Sequence, residues 1–158
     1  MTAFVLPKVP DVTKMLEMLL GDGLTAKPAA PLDAKSGNIV ALYVSPDGKP
    51  VAAGVCDTAF AAYAGAALSM IPPGGAKDAA KSGDLSATMM GNVHEVMNIC
   101  SRFLMNDATP HLKLATVHRD GKELPDGSKA FLGAALPRLD MEIDIPRYGK
   151  GRLSLLIT

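Results

Sequence analysis

GDLSATMMGNVHEVMNICSRFLM, residues 83–105, is the stretch on which the fold turns. At the roughly 100° per residue of an α-helix, Leu85, Met89, Val93, Val96, Cys100, Phe103 and Leu104 fall within one broad apolar stripe. Asn106-Asp107-Ala108-Thr109-Pro110 then breaks the pattern, so the spacing predicts one long helix from about Gly83 to Met105. The opposite face is defined by Asn98. Gly91, Glu95 and Arg102 point within about 60° of it, and His94 lies on the other flank. Glu95 and Asn98 are three residues apart and emerge side by side. Such a carboxylate can grip a cation on a partner, while the carboxamide, both donor and acceptor, can hold and orient a water. An ordinary solvated helix face also fits these residues. Asn is nevertheless a mediocre mid-helix residue, because its side chain competes for backbone hydrogen bonds.

Before this helix, Asp11–Leu20 reads as a first helix, with Asp11 as N-cap and Val12, Met15, Leu16, Leu19 and Leu20 at helical spacing. Residues 1–10 are expected to be a flexible or extended N-terminus, and the proline-bearing Thr25–Lys35 extended or irregular. Ile39–Val44, the turn Ser45-Pro46-Asp47-Gly48-Lys49 and Val51–Cys56 form a hairpin. A second helix, rich in Ala and Gly and capped by Asp57 or Thr58, runs to about Met70, where Pro72-Pro73-Gly74-Gly75 stops it. The remainder is strand-rich. His111–His118 alternates loosely into a turn at Arg119-Asp120-Gly121-Lys122. Leu139–Ile145 alternates well, Pro146–Gly151 turns, and Leu153–Ile157 closes the chain. The order predicts a single α/β (α+β) layer domain spanning 1–158, with a mainly antiparallel or mixed sheet packed against two long helices.

Composition narrows the function. Of 158 residues, 48% are hydrophobic, and sixteen Lys+Arg balance sixteen Asp+Glu, so no charged field marks nucleic acid or membrane as a partner. Aromatics are 4% with no Trp, which weakens any stacking platform for single strands. MTAFVLPKVP does not read as a signal peptide, and no stretch reaches the roughly twenty apolar residues of a membrane span, so a cytoplasmic protein is expected. Cys56 and Cys100 are too few for a disulfide framework. Cys100 lies on the apolar stripe, whereas Cys56 ends a strand just before a helix cap, a place that can lower a thiol pKa. His111 and His118 fall on opposite faces of one strand, which argues against paired metal ligands. Pro72–Lys77 lacks the spacing of a phosphate-binding loop. The nine methionines fit core positions, although Met70, Met89, Met90, Met97 and Met105 could include anchors for a protein partner.

The run from Leu85 to Ile99, with Glu95-Val96-Met97-Asn98 at its centre, resembles the signature helix of the CheC/CheX/FliY group of chemotaxis phosphatases, and CheX proteins in particular. The hairpin with Pro46–Pro50 followed by Gly54, the small-residue helix after it, and the closing pair around Met141–Pro146 and Gly151–Leu155 resemble the same group in order, over residues 12 to 157. Gly91 stands where CheC-type signatures begin with Asp or Ser. Cys100-Ser101-Arg102 stands where a glycine is usual, and the Ala-rich helix carries no second Glu-x-x-Asn.

The resemblance implies a partner: a CheY-like response regulator phosphorylated on aspartate, with Mg2+ held by the receiver domain and no cofactor bound by this chain. Asn98 would orient the attacking water and Glu95 would pair with the partner's lysine, with Gly91, His94 and Arg102 touching the partner. It also implies a homodimer through sheet edges, in keeping with Leu153–Ile157 as an apolar terminal strand that would need cover if it were an edge. The alternative is a non-enzymatic signalling or flagellar-switch-type scaffold domain of the same fold. Exposure of Glu95 and Asn98 favours the phosphatase, and their burial in a subunit contact favours the scaffold.

Overall fold

The hairpin Ile39–Val44 (β2) and Pro50–Cys56 (β3) lies near the middle of a six-stranded sheet. A computed structural model of the chain describes residues 4–34, 37–119, 124, 128, 131–132 and 135–158, and the expected turn at Asp120–Lys122 lies outside them. The other strands are β1 (Thr25–Pro28), β4 (Lys113–Arg119), β5 (Arg138–Ile145) and β6 (Gly149–Ile157). Their order is β1-β5-β6-β3-β2-β4, and every pairing is antiparallel. The helices described end to end are α1 (Val9–Leu20), α2 (Thr58–Leu68), α3 (Pro73–Ser82) and α4 (Ala87–Cys100), the last continuing as a 3-10 turn over Ser101–Leu104.

Both faces of the sheet are covered, which is why β2 and β3 read as unbroken apolar runs. Ile39, Ala41 and Tyr43 face the main core, where α1 contributes Val12, Leu16 and Leu20, α2 contributes Phe60 and Ala64, and α4 contributes Val93, Val96 and Met97. Val40, Leu42, Ala53, Val55 and Leu156 face the other way, under Leu32 and Leu124 with the half-buried Phe131, Leu132 and Leu136. β6 sits between β5 and β3. The closing strand is therefore interior, and the edges of the sheet are β1 and β4. Leu153–Ile157 needs no covering partner.

Helix ends depart from the sequence expectations for local reasons. α1 begins at Val9, with Pro10 in the first turn where its missing N–H costs nothing. Asp11 is inside the helix, not its N-cap, and its Oδ2 accepts the Lys8 N–H at 3.3 Å. Asp57 does cap α2: its Oδ1 accepts the Phe60 N–H at 2.8 Å, and also the Arg152 N–H of β6 at 3.1 Å. Met70 then turns left-handed at φ 57°, while Met70 N–H and Ile71 N–H return to the carbonyls of Ala67 and Ala66 at 3.1 and 2.9 Å. This is the Schellman closure with Met in the place glycine favours. Pro72-Pro73-Gly74-Gly75, expected only as a break, is also the start of α3, since proline is welcome in a first turn. Gly83, at φ 83°, ends α3. The long helix expected from Gly83 therefore starts only at Ala87, after Ser86, whose Oγ accepts the Met89 N–H at 3.1 Å.

Two glycines allow α2 to settle between its neighbours. A Cβ on Gly151 would stand 2.4 Å from the backbone N and Cα of Phe60, and one on Gly65 would stand 2.7 Å from the carbonyl oxygen of Met89. Gly151→Ala is accordingly expected to cost about 3 kcal/mol or to prevent folding, because backbone rather than a flexible side chain must move. Met70→Gly should raise stability by about 1 kcal/mol, since Met70 is 82% exposed and loses only its left-handed strain. Urea denaturation of both variants checks the opposite signs.

Candidate functional site

α4 is held against the rest of the domain at two heights and is closed by its own residues at its end. Near its N-terminal half, the Asn92 amide donates to the Gly65 carbonyl at 2.8 Å and to Ser69 Oγ at 2.6 Å, fixing α4 to α2. Lower down, Tyr43 of β2 passes through the core and donates its hydroxyl to the Met97 carbonyl at 2.5 Å. At the end, Ser101 directs its N–H toward Asn98 O and Ile99 O, and its Oγ donates to Asn98 O at 2.6 Å, as the helix tightens into the 3-10 turn. Met89, Val93, Val96, Met97 and Cys100 face inward.

What remains outward is the expected set. Gly91, His94, Glu95, Asn98 and Arg102 are all exposed, on one side of α4 and its 3-10 extension. Beside Gly91 there is open space where a Cβ would stand. Among the described residues, the side chains of His94, Glu95, Asn98 and Arg102 make no hydrogen bond or ion pair. Their polar atoms therefore face solvent on a helix whose backbone is fixed, which suits an encounter with another molecule. A groove opens beside Arg102, between α1 and the end of α4.

The other sequence candidates do not join this face. His111 is exposed, whereas the half-buried His118 shares a 2.8 Å hydrogen bond with Thr116 Oγ1. Among the described residues no three His, Cys, Asp or Glu side chains stand together as metal ligands. Cys56 and Cys100 are both free and buried. The expectation of a lowered Cys56 pKa is overturned: burial pushes the thiol well up, and the neighbouring Asp57 charge adds to the rise. Burial likewise raises Cys100 to about 12, and pushes the Tyr43 phenol well above its ordinary value, with Cys100 and Cys56 acting in the same direction. Of the expected anchors, Met89 and Met97 are core residues, Met90 and Met105 are half-buried, and Met70 is exposed.

Neither a family model nor a curated protein matches the sequence. Solved structures do. A chain of the FliM–SpeE complex from H. pylori superposes with a TM-score of 0.64 at 7% identity, over 94% of this chain and 80% of that one. The FliM middle domain from H. pylori gives 0.58 at 7% identity, over 94% and 84%. FliY from Thermotoga maritima gives 0.55 at 12%, over 92% and 81%. This chain has the FliM/FliY fold. At 7–12% identity this likeness shows the fold and singles out no one protein. Among the described residues no helix is long and apolar enough to cross a membrane.

Two of the residues that hold α4 were not found as such from the sequence. Asn92 is one polar residue among several in its helix, and Tyr43 one residue of an apolar strand, so neither carries a local signal. Tyr43→Phe should cost about 1–3 kcal/mol by leaving the Met97 carbonyl buried without its donor, read as a lower urea midpoint. The pH dependence has a definite sign. In the unfolded chain Cys100 loses its proton near the ordinary 9.0, while in the folded chain it keeps it to about 12. Its contribution is complete below pH 9 and is lost as pH rises toward 12, by up to ~1.4 kcal/mol per pH unit. Stability measured across that window should fall, and Cys100→Ala should make the slope shallower.

Proposed function

We propose that this chain is a protein-interaction domain of the FliM/FliY fold whose docking face is the exposed side of α4, and that its partner is a CheY-like receiver domain. The observation that carries this reading is the row Gly91, His94, Glu95, Asn98 and Arg102: exposed, unpaired, and mounted on a helix that Tyr43 and Asn92 hold in place. The FliM–SpeE complex supports it in a general way, since a FliM protein is there bound to another protein. The receiver as partner rests on the likeness of Leu85–Ile99 to the CheX signature helix.

The exposure of Glu95 and Asn98 favours a phosphatase over a scaffold that buries them in a subunit contact, and so supports a second reading. Glu95 and Asn98 stand on adjacent turns of one open face with no partner among the described residues, which leaves both free for the dephosphorylation that the resemblance implies. Glu95 would pair with a cation of the receiver, and Asn98 would enter its site and orient water toward the aspartyl phosphate. The receiver would hold its own Mg2+. This chain would contribute position alone, with neither a nucleophile nor a shifted pKa.

One experiment separates the two. Receiver domains from the source genome are charged with acetyl phosphate and Mg2+, and binding and phosphate decay are followed with the wild type, Glu95→Ala and Asn98→Ala. The interaction reading expects binding that Glu95→Ala weakens about tenfold or more, with decay unaltered by any form. The phosphatase reading expects faster decay, lost by about 100-fold in Asn98→Ala while binding persists. A chain that binds no receiver would sink both.

A further inference from the structure

The groove between α1 and the end of α4 holds about 440 Å³ that the described residues leave open. Its floor is apolar, built from Met15 and Leu19 of α1 and from Ile99 and Phe103 beyond Asn98. On its lip Met18 is 81% exposed, an unusual position for a large apolar side chain with nothing to cover it. Two cations flank the floor from opposite sides, Lys14 on α1 and Arg102 on the 3-10 turn, and among the described residues neither forms an ion pair. The one acidic residue lining the groove, Asp11, is engaged at the start of α1 by the Lys8 N–H. That neutral donor leaves the carboxylate its charge, so the lining carries two cations against one anion and its balance is positive.

Arg102 belongs both to this groove and to the exposed row of α4. It lies four residues after Asn98, about one helical turn along the axis. A partner seated on Glu95 and Asn98 thus extends over the groove without leaving the surface.

We infer that the groove is the second half of the docking surface, and that it receives an amphipathic helix of the receiver domain, with an aliphatic row on the floor and carboxylates toward Lys14 and Arg102. Two helices with an apolar trough between them are suited to a third helix, whose aliphatic side chains at i, i+3 and i+4 enter the trough. Burial of Met18 and the floor supplies affinity, and the paired cations set the register and hasten encounter. The inference rests on the receiver as partner and adds the residues that select it.

The test uses the full chain with Met18→Glu, Lys14→Glu and the conservative Met18→Leu and Lys14→Arg, against the same receivers charged with beryllofluoride and Mg2+. Met18 and Lys14 are exposed, so these changes spare the core, which thermal melts verify. Met18→Glu and Lys14→Glu should each weaken binding about tenfold or more, with the conservative forms close to wild type. Lys14→Glu should also flatten the salt dependence. Any phosphate decay at saturating chain should keep its wild-type rate. Unchanged binding in both charge-reversed forms overturns the inference. So does a groove that proves to join two copies of this chain, seen as self-association abolished by Met18→Glu with receiver binding intact. Loss of binding in Glu95→Ala but not in Met18→Glu removes the groove and leaves the α4 reading. The reverse pattern removes the α4 face and keeps the groove, and a chain that binds no receiver removes both.

Discussion

Helix α2 can lie where it does only because two of the residues at its contacts have no side chain. Gly151 brings β6 against the backbone of Phe60, and Gly65 brings α4 against the backbone at Met89. From these approaches follow the other connections: one Asp57 carboxylate serves both the start of α2 and the backbone of β6, and Asn92 reaches the Gly65 carbonyl across the same narrow contact. With α2 displaced outward by a methyl group, Asn92 would lose its acceptor and α4 its upper support. The lower support comes from Tyr43, which spans the core from β2. A helix fixed at both levels presents its outer side chains in a constant arrangement, and that is the property an interaction surface needs.

Much of this was legible from residue order because the signals are local. The β2–β3 hairpin, α2 with its Asp57 cap, and the alternation of β5 were read from neighbours two to four residues apart, and the outward row of α4 followed from helical period alone. What escaped was of two kinds. Some residues have two local meanings: Pro72-Pro73-Gly74-Gly75 stops one helix and begins another, and Gly83 is a left-handed terminus where it was taken as a helix start. Other features are non-local. Tyr43 meets Met97 across 54 positions and Asn92 meets Gly65 across 27, distances at which periodicity carries no information. The place of β6 inside the sheet is of the same kind, because an apolar final strand looks alike at an edge and between two neighbours.

The outer face of α4 takes no part in the core, so Glu95 and Asn98 can change without disturbing Tyr43, Asn92 or the two close glycine contacts. The side of the helix that carries stability is thus separate from the side open to solvent.

The sealing of both sulfurs has a consequence of another sort. Cys56 and Cys100 are the chain's entire thiol complement, and each is fully enclosed, with its thiolate form suppressed by burial. The folded surface therefore offers no cysteine to oxidants, electrophiles or soft metal ions. That surface is chemically indifferent, at its sulfurs, to the redox poise around it.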